Sequence, residues 1–203
     1  MNKKILLLGT FIALFLGCAD RQKLVVIQDE HNHSKATLSF YENNTLKASY
    51  AVLVGRNGIA DDSAKKEGDG KTPFGEYNIT TLFGKEELRG SKMPFIKTNN
   101  SIHCVDDTKS SYYNRIVDST VIKKDYDSFE NMLRDDGVYD IGAVIAYNDD
   151  AVKGNGSCIF IHIKNKNSTP TSGCIALGKD ELVVLLKMLD IKKRPTIEIK
   201  NVR

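Results

Sequence analysis

The chain has 203 residues, 41% hydrophobic and 27% charged, which are ordinary proportions for a globular protein and suit one domain with a full-sized core. The formal net charge is +3, or 3 − 2 = +1 if Lys3 and Lys4 leave with a targeting segment. A charge so close to neutral excludes nucleic-acid binding as the main function.

The N-terminus has the pattern of a signal peptide. Lys3 and Lys4 precede an apolar run over residues 5–16, which is too short to span a bilayer comfortably. Residues 14–18 resemble a bacterial lipobox, which implies cleavage before Cys18 and acylation of that residue. A plain secretory signal and an uncleaved anchor are the alternatives. We therefore predict a signal peptide (1–17), a lipidated cysteine with a short tether (18–23) and one folded domain (24–203).

Acylation of Cys18 would determine where the protein resides. Several acyl chains would anchor it stably to the membrane, on the periplasmic face of the cell envelope. Ala19 resembles a signal that favours the outer membrane over the inner one. We therefore expect an exported, lipid-anchored protein.

The number of remaining cysteines matters, because exported proteins reach an oxidising environment in which cysteines can form disulfides. Acylation of Cys18 would leave Cys104, Cys158 and Cys174, an odd number, so at least one should be free. We assign Cys174 as the free thiol. Cys104 and Cys158 either form a disulfide or are two buried structural thiols.

The predicted elements are mostly strands with few helices. Alternation with a period of two predicts a hairpin of two strands around a turn at residues 42–44. Asp127 and Ser128 are possible N-caps for a short helix, and Asp180 for a longer one with an apolar leucine face. The predicted strands are 24–27, 36–41, 46–54, 76–80, 138–148, 159–163 and 195–200, and the predicted helices are 129–134 and one that starts near 180.

Polar residues between 101 and 115 predict a binding surface. Arg115 could clamp a carboxylated ligand in a bidentate manner. The alternative is an internal ion pair between Arg115 and Asp106 or Asp107.

A histidine and a cysteine mark the candidate catalytic centre. The strand at 159–163 ends near His162, and the loop after it closes on Ser172, Gly173 and Cys174. A histidine beside a cysteine raises the thiolate fraction, and a glycine turn leaves amide hydrogens free for an oxyanion. The alternative is that both residues are ordinary core residues.

Three other functions compete with thiol catalysis. A zinc site could use Cys104, Cys158, His162 and Cys174, but Cys158 and His162 are about 13 Å apart along a strand. A lipid-anchored module that only binds cell-wall peptides would not need an activated thiol. A papain-like protease has its cysteine before its histidine, and this chain has the reverse order.

Six short stretches together resemble the L,D-transpeptidase (YkuD-type) catalytic domain, in its branch with a Thr-x-Gly-Cys signature. The stretches are 67–75, 105–107, 113–115, 139–142, 146–148, and 156–163 with 171–174. The resemblance covers roughly residues 45–200. It implies a single domain that is mainly β with a few short helices, of the β-sandwich or mixed α+β kind. It also implies attack by a cysteine thiolate on a peptide bond of peptidoglycan stem peptides, without a metal or cofactor.

The resemblance also implies roles for individual residues. Cys174 would be the nucleophile, His162 its base and later acid, and the amides of Gly173 and Cys174 the oxyanion hole. Ser172 stands where many members have histidine, and Ala176 where they often have asparagine or arginine. The acyl acceptor therefore stays open between an amine, which gives a crosslink, and water, which gives hydrolysis. The residues expected to bind substrate are Tyr113, Asn114, Arg115, Asp107, Tyr147, Asn148 and Thr171.

Overall fold

The structure is a computed structural model that describes residues 21–61 and 65–202. The predicted signal peptide and Cys18 lie outside the described residues. The elements, in chain order, are β1 (Gln22–Gln28), β2 (Lys35–Glu42), β3 (Thr45–Leu53), β4 (Gly75–Gly84), β5 (Phe95–Lys97), β6 (Ile102–Val105), β7 (Ile116–Asp118), β8 (Phe129–Asn131), β9 (Ile141–Ile145), β10 (Phe160–Ile163), β11 (Ile175–Leu177), α1 (Lys179–Met188), a 3-10 turn (Ile191–Lys193) and β12 (Thr196–Lys200).

Most strands belong to one nine-stranded sheet that closes on itself. Its order is β12-β1-β2-β3-β11-β10-β9-β4-β5, and β12 also pairs with β4. Alternate residues of these strands point inward, as Leu24 and Val26 do in β1 and Ile197 and Ile199 do in β12. They form one continuous apolar core. The prediction of a mainly β single domain is confirmed.

The predicted hairpin and the C-terminal helix are present. Asn43 and Asn44 both have positive φ in the tight turn between β2 and β3, which suits the twist of the two strands. The leucine face of α1 is fully buried in the core. The helix begins at Lys179 with Gly178 as its N-cap, so Asp180 lies in the first turn and is not the cap.

The predicted helix over 129–134 is wrong. Residues 129–131 form β8, which pairs antiparallel with β6. The Phe129 ring stacks on the His103 ring at 3.8 Å between centroids. A six-residue helix has few internal hydrogen bonds to offset its costly nucleation, so strand pairing and ring packing prevail over the capping signal.

A small second sheet, in the order β7-β6-β8, covers part of the outer face of the large sheet. A second apolar cluster, which includes Phe83, Tyr139 and Phe160, fills the space between the two sheets. Cys104 of β6 is joined by a disulfide to Cys158, just ahead of β10. Of the two alternatives for this pair, the disulfide is therefore the one observed, and Cys174 is free. No helix within the described ranges is long and apolar enough to span a membrane.

Candidate active site

His162 and Cys174 lie on neighbouring parallel strands and face the same way. In the pairing of β10 with β11, His162 is opposite Ala176, so Cys174 lies level with Phe160. Side chains alternate between the two faces of a strand. Ile161 and Ile175 point into the closed core, and His162 and Cys174 therefore share the outer face. The loop between the two strands brings together residues that are twelve positions apart in the sequence.

The His162 side chain is buried, with 7% of its surface exposed. Its Nδ1 lies 2.8 Å from the carbonyl oxygen of Ile163, and because a carbonyl only accepts, Nδ1 carries the hydrogen. The Tyr139 ring packs edge-on against the imidazole at 5.4 Å. Burial lowers the pKa of His162 to about 4. The imidazole is therefore neutral near pH 7 with its lone pair on Nε2, which is the form that a general base needs.

The Cys174 thiol is bound to the backbone on both sides. Sγ donates to the carbonyl oxygen of Cys158 and accepts from the N–H of Phe160, both at 3.3 Å. Neither hydrogen bond involves His162. Burial, followed by the negative charge of Glu130, raises the pKa of the thiol to about 12. The resting pair is thus a thiol and a neutral imidazole, without the increased thiolate fraction expected from a histidine neighbour.

Thr171 holds the turn that carries Cys174. Its Oγ1 donates to the carbonyl oxygen of Cys174 at 2.6 Å and accepts from the N–H of Gly173 at 3.1 Å. Gly173 has φ +155, and a Cβ there would lie 3.0 Å from the Lys71 carbonyl oxygen, so the turn requires glycine. Ser172 is exposed, and its Oγ accepts from the Arg56 guanidinium at 3.0 Å.

Only one of the two expected oxyanion donors is free in this arrangement. The N–H of Gly173 is taken by Thr171. The N–H of Cys174 has no hydrogen-bond partner among residues 21–61 and 65–202. The Cys174 amide is therefore the donor that can meet a developing oxyanion without a rearrangement of the turn.

Two cavities meet at Cys174. The histidine cavity, about 200 Å³ in volume, is lined by His162, Tyr139, Arg134, Asp136 and the loop at 169–172. The acidic cavity, about 230 Å³, is lined by Lys65, Glu67, Asp106, Ser157 and Gly173. Cys174, Ser172 and Glu130 line both cavities. A substrate can therefore reach the sulfur from two sides.

The comparison with protein families agrees with this geometry. The L,D-transpeptidase catalytic domain (YkuD) matches residues 23–199, which is most of the chain. The chain belongs to the L,D-transpeptidase catalytic domain family. The resemblance found in the sequence is thus confirmed at the level of the family.

The chain is also similar to one solved structure, that of Mycobacterium tuberculosis L,D-transpeptidase 1. The two share 14% sequence identity, with a TM-score of 0.39. The similarity covers 88% of this chain and 62% of that one, so this chain spans less than two thirds of that protein's length. No curated protein sequence matches the chain.

Among the substrate-binding residues expected of an L,D-transpeptidase here, Tyr113 and Asn114 bind the protein's own backbone and side chains. Tyr113 is fully buried; its hydroxyl donates to Glu67 and accepts from the N–H of Gly156. Asn114 donates to the carbonyls of Tyr147 and Asn148 and accepts from the N–H of Cys158 at 2.9 Å. Both residues therefore hold the segment that leads into β10.

The other expected substrate-binding residues are distributed over three places. Arg115 donates to the Asp149 carbonyl at 2.8 Å and pairs with its carboxylate at 3.8 Å, and pairs with neither Asp106 nor Asp107. The Asp107 carboxylate accepts hydrogen bonds from backbone N–H groups, and these bonds lower its pKa, the bond from Asp127 having the largest effect.

Tyr147 lines a separate cavity with Asn114 and Arg115, behind the disulfide. Asn148 donates to the carbonyl oxygens of Val152 and Gly156. Thr171 lines the histidine cavity. Substrate binding by these residues stays a prediction.

Sequence reasoning missed Glu130 and Arg134 at this L,D-transpeptidase site. The Arg134 guanidinium lies 5.2 Å from the Tyr139 ring and 2.5 Å from the Asp136 carboxylate. Both residues lie within the stretch 129–134 that was predicted as a helix, so the sequence did not place them at the site. The signal that could have placed Glu130 is its strand partner Cys104, since cross-strand neighbours share a face.

The zinc alternative loses two of its four candidate ligands to the Cys104–Cys158 bond. Within the described part of the chain, no group of three or more His, Cys, Asp or Glu could hold a metal ion.

The raised pKa of Cys174 predicts an unusual pH dependence of alkylation. We expect the rate with iodoacetamide to be low near neutrality and to increase about tenfold per pH unit beyond about pH 8.5, where an ordinary cysteine levels off. The reason is that the thiolate fraction keeps rising until the pH approaches the pKa of about 12. Mass spectrometry of the peptide that contains Cys174 measures the rate, with the Cys174→Ala protein as the blank. A plateau near pH 8.5 would show that the thiol is not shielded.

Proposed function

We propose that this L,D-transpeptidase domain transfers an acyl group from a peptidoglycan stem peptide through a thioester on Cys174. The observation that carries the proposal is the shared face of β10 and β11. It brings a free thiol and a neutral imidazole, whose Nε2 carries the lone pair, into one cleft. The donor bond would join the third, diamino acid residue of the stem to a terminal D-alanine, as the family implies.

The proposed reaction has two stages. In the first, Nε2 of His162 accepts the thiol proton as sulfur attacks the carbonyl carbon, and the Cys174 N–H donates to the oxyanion. The carbon–nitrogen bond then breaks, and His162 returns the proton to the leaving D-alanine amine. In the second, an amine or water attacks the thioester and releases the thiol. Since the resting thiol is protonated, sulfur can attack only when a base takes its proton.

We further propose that the enzyme acts while anchored through an acylated Cys18 to the periplasmic face of the envelope, on the outer rather than the inner membrane. The disulfide fits an oxidising compartment. β1 begins at Gln22, so an extended tether from Cys18 would reach at most about 14 Å. The folded domain would therefore lie close to the membrane surface.

The test is a muropeptide profile. Full-length protein in detergent is incubated with isolated peptidoglycan beside the Cys174→Ala variant, which removes only the nucleophile. New crosslinks in the wild type alone would support transfer to an amine, and loss of terminal D-alanine alone would support transfer to water. An unchanged profile with both proteins, and no acyl adduct on Cys174, would overturn the proposal in favour of a module that only binds cell-wall peptides.

A further inference from the structure

Glu130 of β8 faces the nucleophile across the gap between the two sheets. In the antiparallel pairing of β6 with β8 it lies directly opposite Cys104. Directly opposite residues project from the same face of a sheet, and Cys104 projects toward Cys158, to which it is bonded. The Glu130 carboxylate is therefore directed at the outer face of the large sheet, where Cys174 lies.

The carboxylate of Glu130 is only loosely bound by its neighbours. Oε2 is 3.4 Å from the Tyr139 hydroxyl and 3.7 Å from the Arg134 guanidinium. Oε1 has no hydrogen-bond partner among the residues that the structure describes. The side chain is 35% exposed and lines both cavities beside Cys174. It thus has free acceptor capacity next to the sulfur.

The charges around Glu130 favour a cationic ligand. Glu67 and Asp106 line the acidic cavity with it, and Oδ1 of Asp106 is buried without a partner among the described residues. The cavity's cation, Lys65, is already paired with Asp69 at 2.7 Å. Arg134 is likewise neutralised, by the Asp136 carboxylate. The negative charge in the cavity therefore exceeds the positive charge that is available to balance it.

A base is needed on this side of the site if the acyl acceptor is an amine. A primary amine is an ammonium ion near neutrality, and its nitrogen has no lone pair for attack until one proton leaves. His162 is a weak base because burial lowers its pKa. Burial has the opposite effect on Glu130 and raises its pKa, so Glu130 accepts a proton more readily than an ordinary glutamate.

We propose that Glu130 binds the ammonium group of a primary-amine acyl acceptor and removes one proton before the nitrogen attacks the Cys174 thioester. This inference rests on the proposed function and makes an amine the acceptor. One ammonium proton passes to the Glu130 carboxylate, and the freed lone pair forms the carbon–nitrogen bond. The carbon–sulfur bond breaks, and His162 carries a second proton from nitrogen to sulfur. The amide keeps the third, and Glu130 later releases its proton to water.

Two acceptors of different charge test this role. Full-length protein is first acylated with a soluble stem tetrapeptide, and the adduct is followed by intact-protein mass spectrometry. Transfer is then measured to Nα-acetyl-lysine amide, whose amine is protonated, and to hydroxylamine, which is uncharged. In Glu130→Gln we expect transfer to the lysine amide to fall about 100-fold, the usual size of general-base catalysis, with transfer to hydroxylamine unchanged. The exposed Glu86→Gln variant is the matched control.

A second variant separates binding from proton removal. Asp106→Asn reduces the negative charge of the acidic cavity and leaves Glu130 intact, so it should raise KM for the lysine amide without changing kcat. An equal loss of transfer rate with both acceptors in Glu130→Gln, or an unchanged KM in Asp106→Asn, would overturn the proposed role of Glu130. Neither result would affect the proposed function. Failure of the wild type to form any adduct would overturn the proposed function, and this inference with it.

Discussion

Replacement of His162 with alanine should lower the rate of thioester formation on Cys174 by about 100-fold or more, since a positioned general base contributes about 10²–10⁴-fold. The effect should be large because the resting thiol is protonated, with a pKa of about 12, and cannot attack until a base takes its proton. The rate is measured as the appearance of the acyl adduct by rapid-quench mass spectrometry. A variant that acylates at the wild-type rate would remove His162 from the mechanism.

The low pKa of His162 adds a pH dependence to this prediction. In the wild type the base stays neutral down to about pH 4, so thioester formation should persist well below the ordinary histidine pKa of about 6.5. Between these two values the unfolded chain binds a proton that the folded protein does not. The free energy of unfolding should therefore decrease as the pH falls from about 6.5 to about 4, and this contribution should be absent in His162→Ala.

His103 provides the matched control for a buried histidine. Its exposed fraction is 8%, and its Nδ1 is bonded to the Tyr126 hydroxyl at 2.8 Å, outside both cavities. His103→Ala should lose stability but keep the wild-type rate of thioester formation per folded molecule. If both variants lost the same activity, the effect of His162 would be structural and not catalytic.

Replacement of both Cys104 and Cys158 with alanine should lower the free energy of unfolding by about 4 kcal/mol. The bond joins residues 54 positions apart and restricts the unfolded chain. Without it the unfolded state regains the entropy that closure of this loop removes. Thioester formation should also fall, because the bond fixes the small sheet over the site and Cys158 supplies the carbonyl that holds the Cys174 thiol. Urea unfolding and the adduct assay measure the two effects.

Reductant gives the control for the disulfide prediction. Dithiothreitol should lower the unfolding midpoint of the wild type to that of the double variant and leave the double variant itself unchanged. Equal midpoints for the oxidised wild type and the double variant would show that the bond contributes no stability. Single variants are less informative because each leaves a second free thiol near Cys174.

The parts of this fold that sequence could predict are those that depend on neighbours along the chain. Period-two alternation predicted the β2–β3 hairpin, and the leucine spacing predicted α1. The pair of His162 and Cys174 followed from a strand, a short polar loop and a glycine turn. Each of these signals is carried by the residues that form the element itself.

The remaining features depend on partners that are distant in sequence. β8 is a strand because β6 lies beside it, and the mistaken helix removed Glu130 from the predicted site. Substrate binding by Asn114 and Asn148 stays a prediction, and the sequence did not show that their amides bind backbone carbonyls. An isolated polar side chain looks the same in either role, because both roles need only free donors and acceptors.

The position of β12 has a consequence for how the protein reaches its final shape. β12 is the last strand along the chain, and it lies between β1 and β4, so it closes the ring. Until it arrives, β1 and β4 both present open edges that can pair with other chains. Closure of the ring must therefore wait for β12 to emerge. If the chain crosses a membrane before it folds, as proposed above, its ring cannot close until β12 has crossed as well.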